Sequence, residues 1–375
     1  MNSGQVWLQR LSCRDFRNFE RLDLDLPRDG LAIIGDNGQG KTNLLESIYY
    51  LQVLRSVRGT RDPDLVRFGA KGFHIAAHSS IDGSDHARNL SVGFETSGKR
   101  KKVTSDGGVV ARLSDAFGAL PSVMFSPRDI QLIAGAPSER RRFLDLVLAL
   151  TSRHYLTALQ LYRAALARRN AALRDASRTG DESSVAVWEP AMAEYGAVLV
   201  RERVAWVNER AEEFSRLSVA IGEPCESQMA YWSPIARSDD PFAALGEALA
   251  RQRKHDIRRG MTHSGPHRDD LSLVLDARDL RQFGSAGQKR TAAIALRILE
   301  GATIRAARGV APVMLLDDPF AELDLRRSAR ILGLLRDAGL GQTVLVVPRA
   351  TDIPSELLEL ERRSIQSGVI EGAAL

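Results

Sequence analysis

Eight consecutive residues constrain this chain more than any others: Gly35-Asp36-Asn37-Gly38-Gln39-Gly40-Lys41-Thr42 fits G-x-x-x-x-G-K-[ST]. The apolar run Leu31 to Ile34 precedes it, and Leu44, Leu45, Ile48 and Leu51 follow at the spacing of an amphipathic helix. Strand, glycine loop and helix are the context that a phosphate-binding loop needs. There the glycines let successive N–H groups turn inward around phosphate oxygens at a helix N-terminus. Lys41 adds a positive charge for the β and γ phosphates, and Thr42 offers a hydroxyl to Mg2+. The pattern predicts that residues 35–42 bind ATP; the alternative is a purely structural glycine turn.

Such a loop needs an acidic partner, and Val313-Met314-Leu315-Leu316-Asp317-Asp318 supplies an apolar strand ending in two carboxylates. Asp317 would hold Mg2+ with Thr42, and Asp318 would orient or deprotonate the attacking water. Lys41 and Asp318 are then the expected catalytic residues. Most ABC ATPases carry Glu at the second position, so Asp318 is one methylene short and predicts slow hydrolysis. Phe283-Gly284-Ser285-Ala286-Gly287-Gln288 resembles the ABC signature S-x-G-Q. In that class Ser285, Gly287 and Gln288 would grip the γ phosphate of a nucleotide held by a second copy, which implies an ATP-dependent homodimer. A Ser/Gly helix cap would show the same letters. Ala321-Glu322-Leu323-Asp324 reads as the D-loop that follows.

Periodicity divides the chain into an α/β half at 1–135, a helical segment at 136–255 and a second α/β half at 256–375. Leu22, Leu24 and Leu26 alternate with Asp23 and Asp25, the period of a half-buried strand. From Ala136-Pro137-Ser138 nearly forty residues run without Gly or Pro, which predicts one long helix. Leu144, Leu148, Tyr155, Leu159, Tyr162 and Leu166 form its seam, with Arg163, Arg168 and Arg169 on other faces. After a break at Arg178 to Ser184, a second helix from about Val185 to Leu217 is interrupted only by Pro190 and Gly196. The expected fold is α/β: an ABC-type P-loop ATPase head with an inserted helical (short coiled-coil) arm. A compact helical insert is the alternative to the arm.

Further blocks carry a family resemblance. These are Arg17-Asn18-Phe19, Gly38 to Glu46, Met124-Phe125-Ser126-Pro127-Arg128-Asp129, Gly135 to Asp145, and Thr262-His263-Ser264-Gly265-Pro266-His267-Arg268-Asp269-Asp270. Together, over residues 6 to 350, the chain resembles the RecF family. The resemblance implies recombinational repair of gapped DNA, replication restart and SOS induction, DNA binding, and RecO and RecR as partners. Two features depart from the ABC pattern. Ser126 or Asp129 stands where a Q-loop Gln is usual, and Arg349 follows the last strand where a switch histidine is usual.

Composition adds little that is specific. With 44% hydrophobic and 26% charged residues the chain is of ordinary globular type, and its longest apolar runs are far too short to span a membrane. Met1 to Gln9 lacks a signal-peptide pattern, and Cys13 and Cys225 form no motif, so a reduced cytosolic protein without membrane contact is expected. The net charge of +5 does not by itself identify a nucleic-acid binder. Basic runs at Lys99-Arg100-Lys101-Lys102, Arg140-Arg141-Arg142 and Arg251-Gln252-Arg253-Lys254-His255 could follow a phosphate backbone or be solvated faces. Lys99, Arg100, Lys101, Lys102, Arg251, Arg253 and Lys254 are the DNA-contact candidates. His263 and His267, with Asp269 and Asp270, could hold a metal, form an ion-paired turn or make a nucleotide-linked contact. Two classes compete: a DNA-binding ATP switch, and a transporter subunit or P-loop kinase, neither of which ordinarily combines the signature with so long a helical insert.

Overall fold

Alternation in the first half of the chain is realised as strand. In Phe19–Asp25 the leucines 22 and 24 are buried while Asp23 and Asp25 face solvent. The computed structural model describes residues 4–82, 87–320, 324–339 and 341–372. It divides into two compact units, Met1–Asp129 with Leu296–Leu375, and Ile130–Ala295.

The first unit holds two sheets. One, largely antiparallel, runs in the order Val310–Ala311, Gly4–Phe16, Gly72–Ile81, Arg88–Glu95, Arg100–Ser105, Gly108–Val109, with Phe19–Asp25 also paired to Gly4–Phe16. The other runs Val369–Glu371, Glu361–Gln366, Gly30–Ile34, Thr343–Val347, Val313–Asp317, Ser122–Phe125, and its last five strands are parallel. All of Thr343–Val347 is buried, as a parallel strand covered on both faces requires, hence its unbroken apolar run. Helix Lys41–Val53 packs against strands of both sheets. That corrects the amphipathic expectation: Tyr49, Tyr50, Gln52 and Val53 are buried along with the leucine stripe, because the helix has no solvent side beyond its first turn. Gln52 survives there because its Oε1 accepts from the Ser122 hydroxyl at 2.8 Å and from the Ser122 amide.

The second unit is mainly helical. The single long helix expected from residue 137 is two, Pro137–Thr151 and Arg153–Thr179. Ser152 adopts an extended conformation between them, and its hydroxyl caps the second by accepting from Tyr155 N at 3.1 Å. Glu189–Ile221 then runs unbroken, since Pro190 falls in its first turn, where the missing N–H costs nothing. Gly196 is no interruption either. A Cβ there would overlap Leu245 Cδ2 and stand 3.2 Å from the Tyr162 ring, so glycine lets three helices approach closely.

Tyr155 meets Arg203, Tyr162 lies at Gly196, and Arg169 meets Glu189. Steps of seven up one helix match steps of seven down the other, which makes the pair antiparallel with heptad spacing. Arg169 therefore lies on the seam, fully buried, and not on another face as expected. It donates to Asp256 at 2.8 Å, Thr262 at 2.9 Å and Glu189 at 3.1 Å. The unit reaches beyond the expected 136–255 to residue 295, because Ser227–Trp232 pairs with Asp270–Leu275 and brackets helix Pro241–Arg259.

Candidate functional site

In the first unit the parallel strands deliver their carboxyl ends to one edge. Gly35 follows Gly30–Ile34, Asp318 follows Val313–Asp317, Ser126 follows Ser122–Phe125, and Arg349 lies just beyond Thr343–Val347. Ligands of open parallel sheets bind at such an edge. Gly40, at φ +115, caps helix Lys41–Val53, and a Cβ there would fall within 3 Å of the Asn18 amide. Only glycine both turns the loop inward and admits that side chain.

Lys41 Nζ donates to the carbonyls of Gly35 and of Asp36, the latter at 2.9 Å. Burial pulls its pKa down, against the pull of Asp317, Asp318 and Asp36. Thr42 Oγ1 donates to Asp317 Oδ1 at 3.1 Å, across 275 residues of sequence. These two oxygens fit Mg2+, a hard cation that binds through hydroxyl, carboxylate and phosphate oxygen. Burial raises the Asp317 carboxyl pKa, and the Thr42 hydroxyl opposes the shift. Asp318 sits at φ +46, with its amide donating to Val346 O at 3.0 Å. Lys41, Thr42, Asp317 and Asp318 are thus brought together. Ser285, Gly287 and Gln288 belong to the other unit. There Ser285 Oγ accepts from Gln288 N at 3.2 Å and Gln288 Oε1 accepts from Ser285 N at 2.8 Å, a reciprocal cap on helix Ala286–Arg308. Ser285 and Gly287 are exposed at that helix start. Of the D-loop only Asp324 lies within the described residues, where it caps helix Leu325–Asp337 by accepting from Arg327 N at 2.8 Å.

Several residues that brace the loop had no assigned role in the sequence reading. Asn18 Nδ2 donates to Gln39 O at 3.0 Å, and its Oδ1 accepts from Asn43 at 2.8 Å. The turn after Glu361–Gln366 grips the same residue: Ser367 N donates to Gln39 Oε1 at 2.6 Å and Gly368 N to Gln39 O at 2.9 Å. Glu46, fully buried, pairs with Arg17 at 2.9 Å and accepts from Ser56 at 2.5 Å. The Arg17-Asn18 block was visible in the sequence; nothing local marked the Ser367–Gly368 turn.

Of the two Q-loop candidates, Asp129 is engaged, accepting from Ser126 N at 2.8 Å and from Arg297 at 2.7 Å. Ser126 is engaged as well, its Oγ accepting from Arg128 N at 3.3 Å, so both stay candidates. Arg349 is exposed. The basic runs divide. Lys101 is held inside by Asp62 at 2.8 Å and by Leu54 O at 2.6 Å, and lies 5.1 Å from the centre of the Tyr50 ring. Arg140 is buried on Asp270, and Arg253 forms two hydrogen bonds with Glu189, at 3.0 and 2.5 Å. Lys99, Arg100, Lys102, Arg251 and Lys254 stay exposed. His267 uses both ring nitrogens, Nδ1 at 2.7 Å from Tyr162 Oη and Nε2 at 3.1 Å from Thr262 O, so it is no metal ligand here.

Comparison with known proteins decides the family. A family model described as the RecF/RecN/SMC N terminal domain matches residues 7–358. The DNA replication and repair protein RecF of Agathobacter rectalis is 33% identical over 339 residues, 90% of this chain and 91% of that one. This chain belongs to the RecF family. The RecF of Myxococcus xanthus is likewise 33% identical over 346 residues, 90% of each chain. A solved structure of the recombination mediator protein RecF-ATPrS in the RecFOR pathway matches with a TM-score of 0.90 at 26% identity, covering 100% of both chains. Its RecF-ATP counterpart gives 0.89 at 26% identity, covering 99% of this chain and 98% of that one. The Smc head domain of Pyrococcus furiosus, 16% identical with a TM-score of 0.58 over 98% of this chain and 96% of that one, shares the fold. The α/β, ABC-type ATPase head anticipated from the motifs is therefore the fold of this RecF-family chain, and among the described residues no helix is long and apolar enough to cross a membrane.

Proposed function

We propose that this chain is an ATP-driven switch of DNA repair and replication that closes as a homodimer on ATP and Mg2+, binds DNA in that state, and is released by slow hydrolysis. One observation carries the reading: Lys41, Thr42, Asp317 and Asp318 converge at the carboxyl edge of one parallel sheet, with Thr42 and Asp317 in hydrogen-bond contact. Residues 35–42 would cradle the phosphates, and Thr42 and Asp317 would hold Mg2+, which neutralises charge on the β and γ oxygens. Asp318 would take the proton of the attacking water. The cap at Ser285 and Gly287 is exposed at a helix N-terminus, where backbone N–H groups and the Ser285 hydroxyl have the chemistry to bind the γ phosphate of a second copy's nucleotide. The names of the relatives support repair, replication and the RecFOR pathway, and from them we infer that RecO and RecR are partners and that SOS induction depends on the chain. The preferred substrate in this reading is gapped, junction or single-stranded DNA. Fluorescence anisotropy of labelled gapped DNA without nucleotide, with ADP and with ATP tests it: affinity should rise sharply only with ATP, and equal affinity in all three would refute the coupling.

A further inference from the structure

His255 and Asp256 lie in the last turns of helix Pro241–Arg259, and His263 follows the Gly260 cap. Gly260, at φ +67, turns the chain back, so that His263 N donates to Asp256 Oδ1 at 3.2 Å and His263 Nδ1 lies 2.8 Å from the same oxygen. The two imidazole rings meet edge to face, 4.9 Å between centres. His255 Nδ1 is buried, has no hydrogen-bond partner and lies 4.0 Å from Asp256 Oδ1. A ring nitrogen left buried and unpaired is costly, which asks for a partner at that point.

We propose that His255, Asp256 and His263 form a binding site for a divalent transition-metal ion of the Zn2+ type. One ligand atom from each residue lies within 4.8 Å of the other two. Tetrahedral Zn2+ with bonds of ~2.0–2.1 Å sets its ligands ~3.3 Å apart. The separations of 2.8 and 4.0 Å bracket that distance, so small ring rotations close the shell. Two imidazoles and one carboxylate select Zn2+, Co2+ or Ni2+ over Mg2+, which prefers all-oxygen ligands, so the site does not compete with Thr42 and Asp317. The far oxygen of Asp256 is held by Arg169 at 2.8 Å, which keeps the carboxylate aimed at the histidines. Both histidines are part-exposed, which leaves an entry path and room for a water as fourth ligand. The ion would tie the end of helix Pro241–Arg259 to the segment leading into Gly265-Pro266-His267-Arg268-Asp269-Asp270. It would be a structural clasp within this unit.

The test is calorimetric titration of chelator-stripped, full-length protein with ZnCl2 in excess Mg2+, and with Co2+ followed by visible absorption. One equivalent should bind to the wild type, His255→Ala and His263→Ala should each weaken binding roughly tenfold or more, and the double variant should lose that equivalent. Zn2+ should raise the Tm of the wild type and leave that of the double variant unchanged, while His154→Ala, an exposed control, behaves as wild type. If the alanine pair folds poorly, His255→Gln with His263→Gln keeps polar side chains of similar reach without metal affinity. Equal Zn2+ binding by wild type and either double variant, or its loss in Cys225→Ser instead, would overturn the site. Because the assay reads metal binding directly, a failed ATP switch would leave its outcome intact.

Discussion

Asp318 shows how backbone and chemistry combine at one residue. Its φ of +46 lies in the left-handed region, where Asn is tolerated far better than Ala. Asp318→Asn should therefore keep the turn, remove the proton acceptor and slow hydrolysis by roughly 10²–10³-fold while Mg-ATP still binds. Single-turnover hydrolysis beside nucleotide affinity separates the outcomes, and loss of binding would mean that Asp318 is the magnesium ligand. Lys41→Ala should weaken ATP binding by about 100-fold, since it removes one charge-assisted contact worth about 3 kcal/mol. Its unfolding midpoint should fall modestly, because the buried Lys41 also holds the Gly35 and Asp36 carbonyls, and unchanged ATP affinity would contradict the P-loop assignment.

At the level of elements, the cap on helix Ala286–Arg308 and the buried seam respond differently. Ser285→Arg removes a capping hydroxyl, which costs about 1 kcal/mol, and puts a long cation where the partner's γ phosphate would lie. ATP should still bind the monomer, but sedimentation should show no ATP-dependent dimer; a persisting dimer would refute the two-headed arrangement. Arg169→Ala is a stability experiment instead. It strips Asp256 and Glu189, both buried, of a shared cation and should cost about 3–5 kcal/mol in urea unfolding. A loss below 1 kcal/mol would show that Arg253, already paired with Glu189, suffices to neutralise the cluster.

Properties of the whole molecule follow from charge. Lys99, Arg100 and Lys102, or Arg251 and Lys254, reversed to Glu should weaken ATP-dependent DNA binding without changing ATP affinity, and whichever set does so marks the DNA face. Lys101 and Arg253 are left out because each already satisfies an internal carboxylate. Since such contacts are to phosphate, log affinity should fall linearly with log salt and vary little with sequence. Acid stability follows from a part-buried histidine. Burial drops the pKa of His267 to about 4, with the Thr262 carbonyl opposing and Arg268 and Arg141 assisting. The folded state thus resists a proton that the unfolded chain accepts near 6.5. Stability should fall as pH drops from about 6.5 to about 4, by on the order of 3 kcal/mol in all. Urea midpoints across that window should slope less in His267→Gln; an unchanged slope would assign the effect elsewhere.

The sequence by itself determined the glycine loop, the acidic strand, the helix start at Ser285 and the family, because each is a contiguous block whose chemistry depends on local spacing. It could not reveal which charges are already used. Lys101, Arg140, Arg169 and Arg253 look like their exposed neighbours in a linear reading, and only packing assigns them Asp62, Asp270, Asp256 and Glu189. Ser152 could not be seen as a helix break either, since its extended backbone is settled by capping and packing and not by propensity. Tertiary structure also decided the grip of Ser367 and Gly368 on Gln39 and the meeting of His255 with His263, contacts made by chain reversal between groups whose proximity no periodicity records.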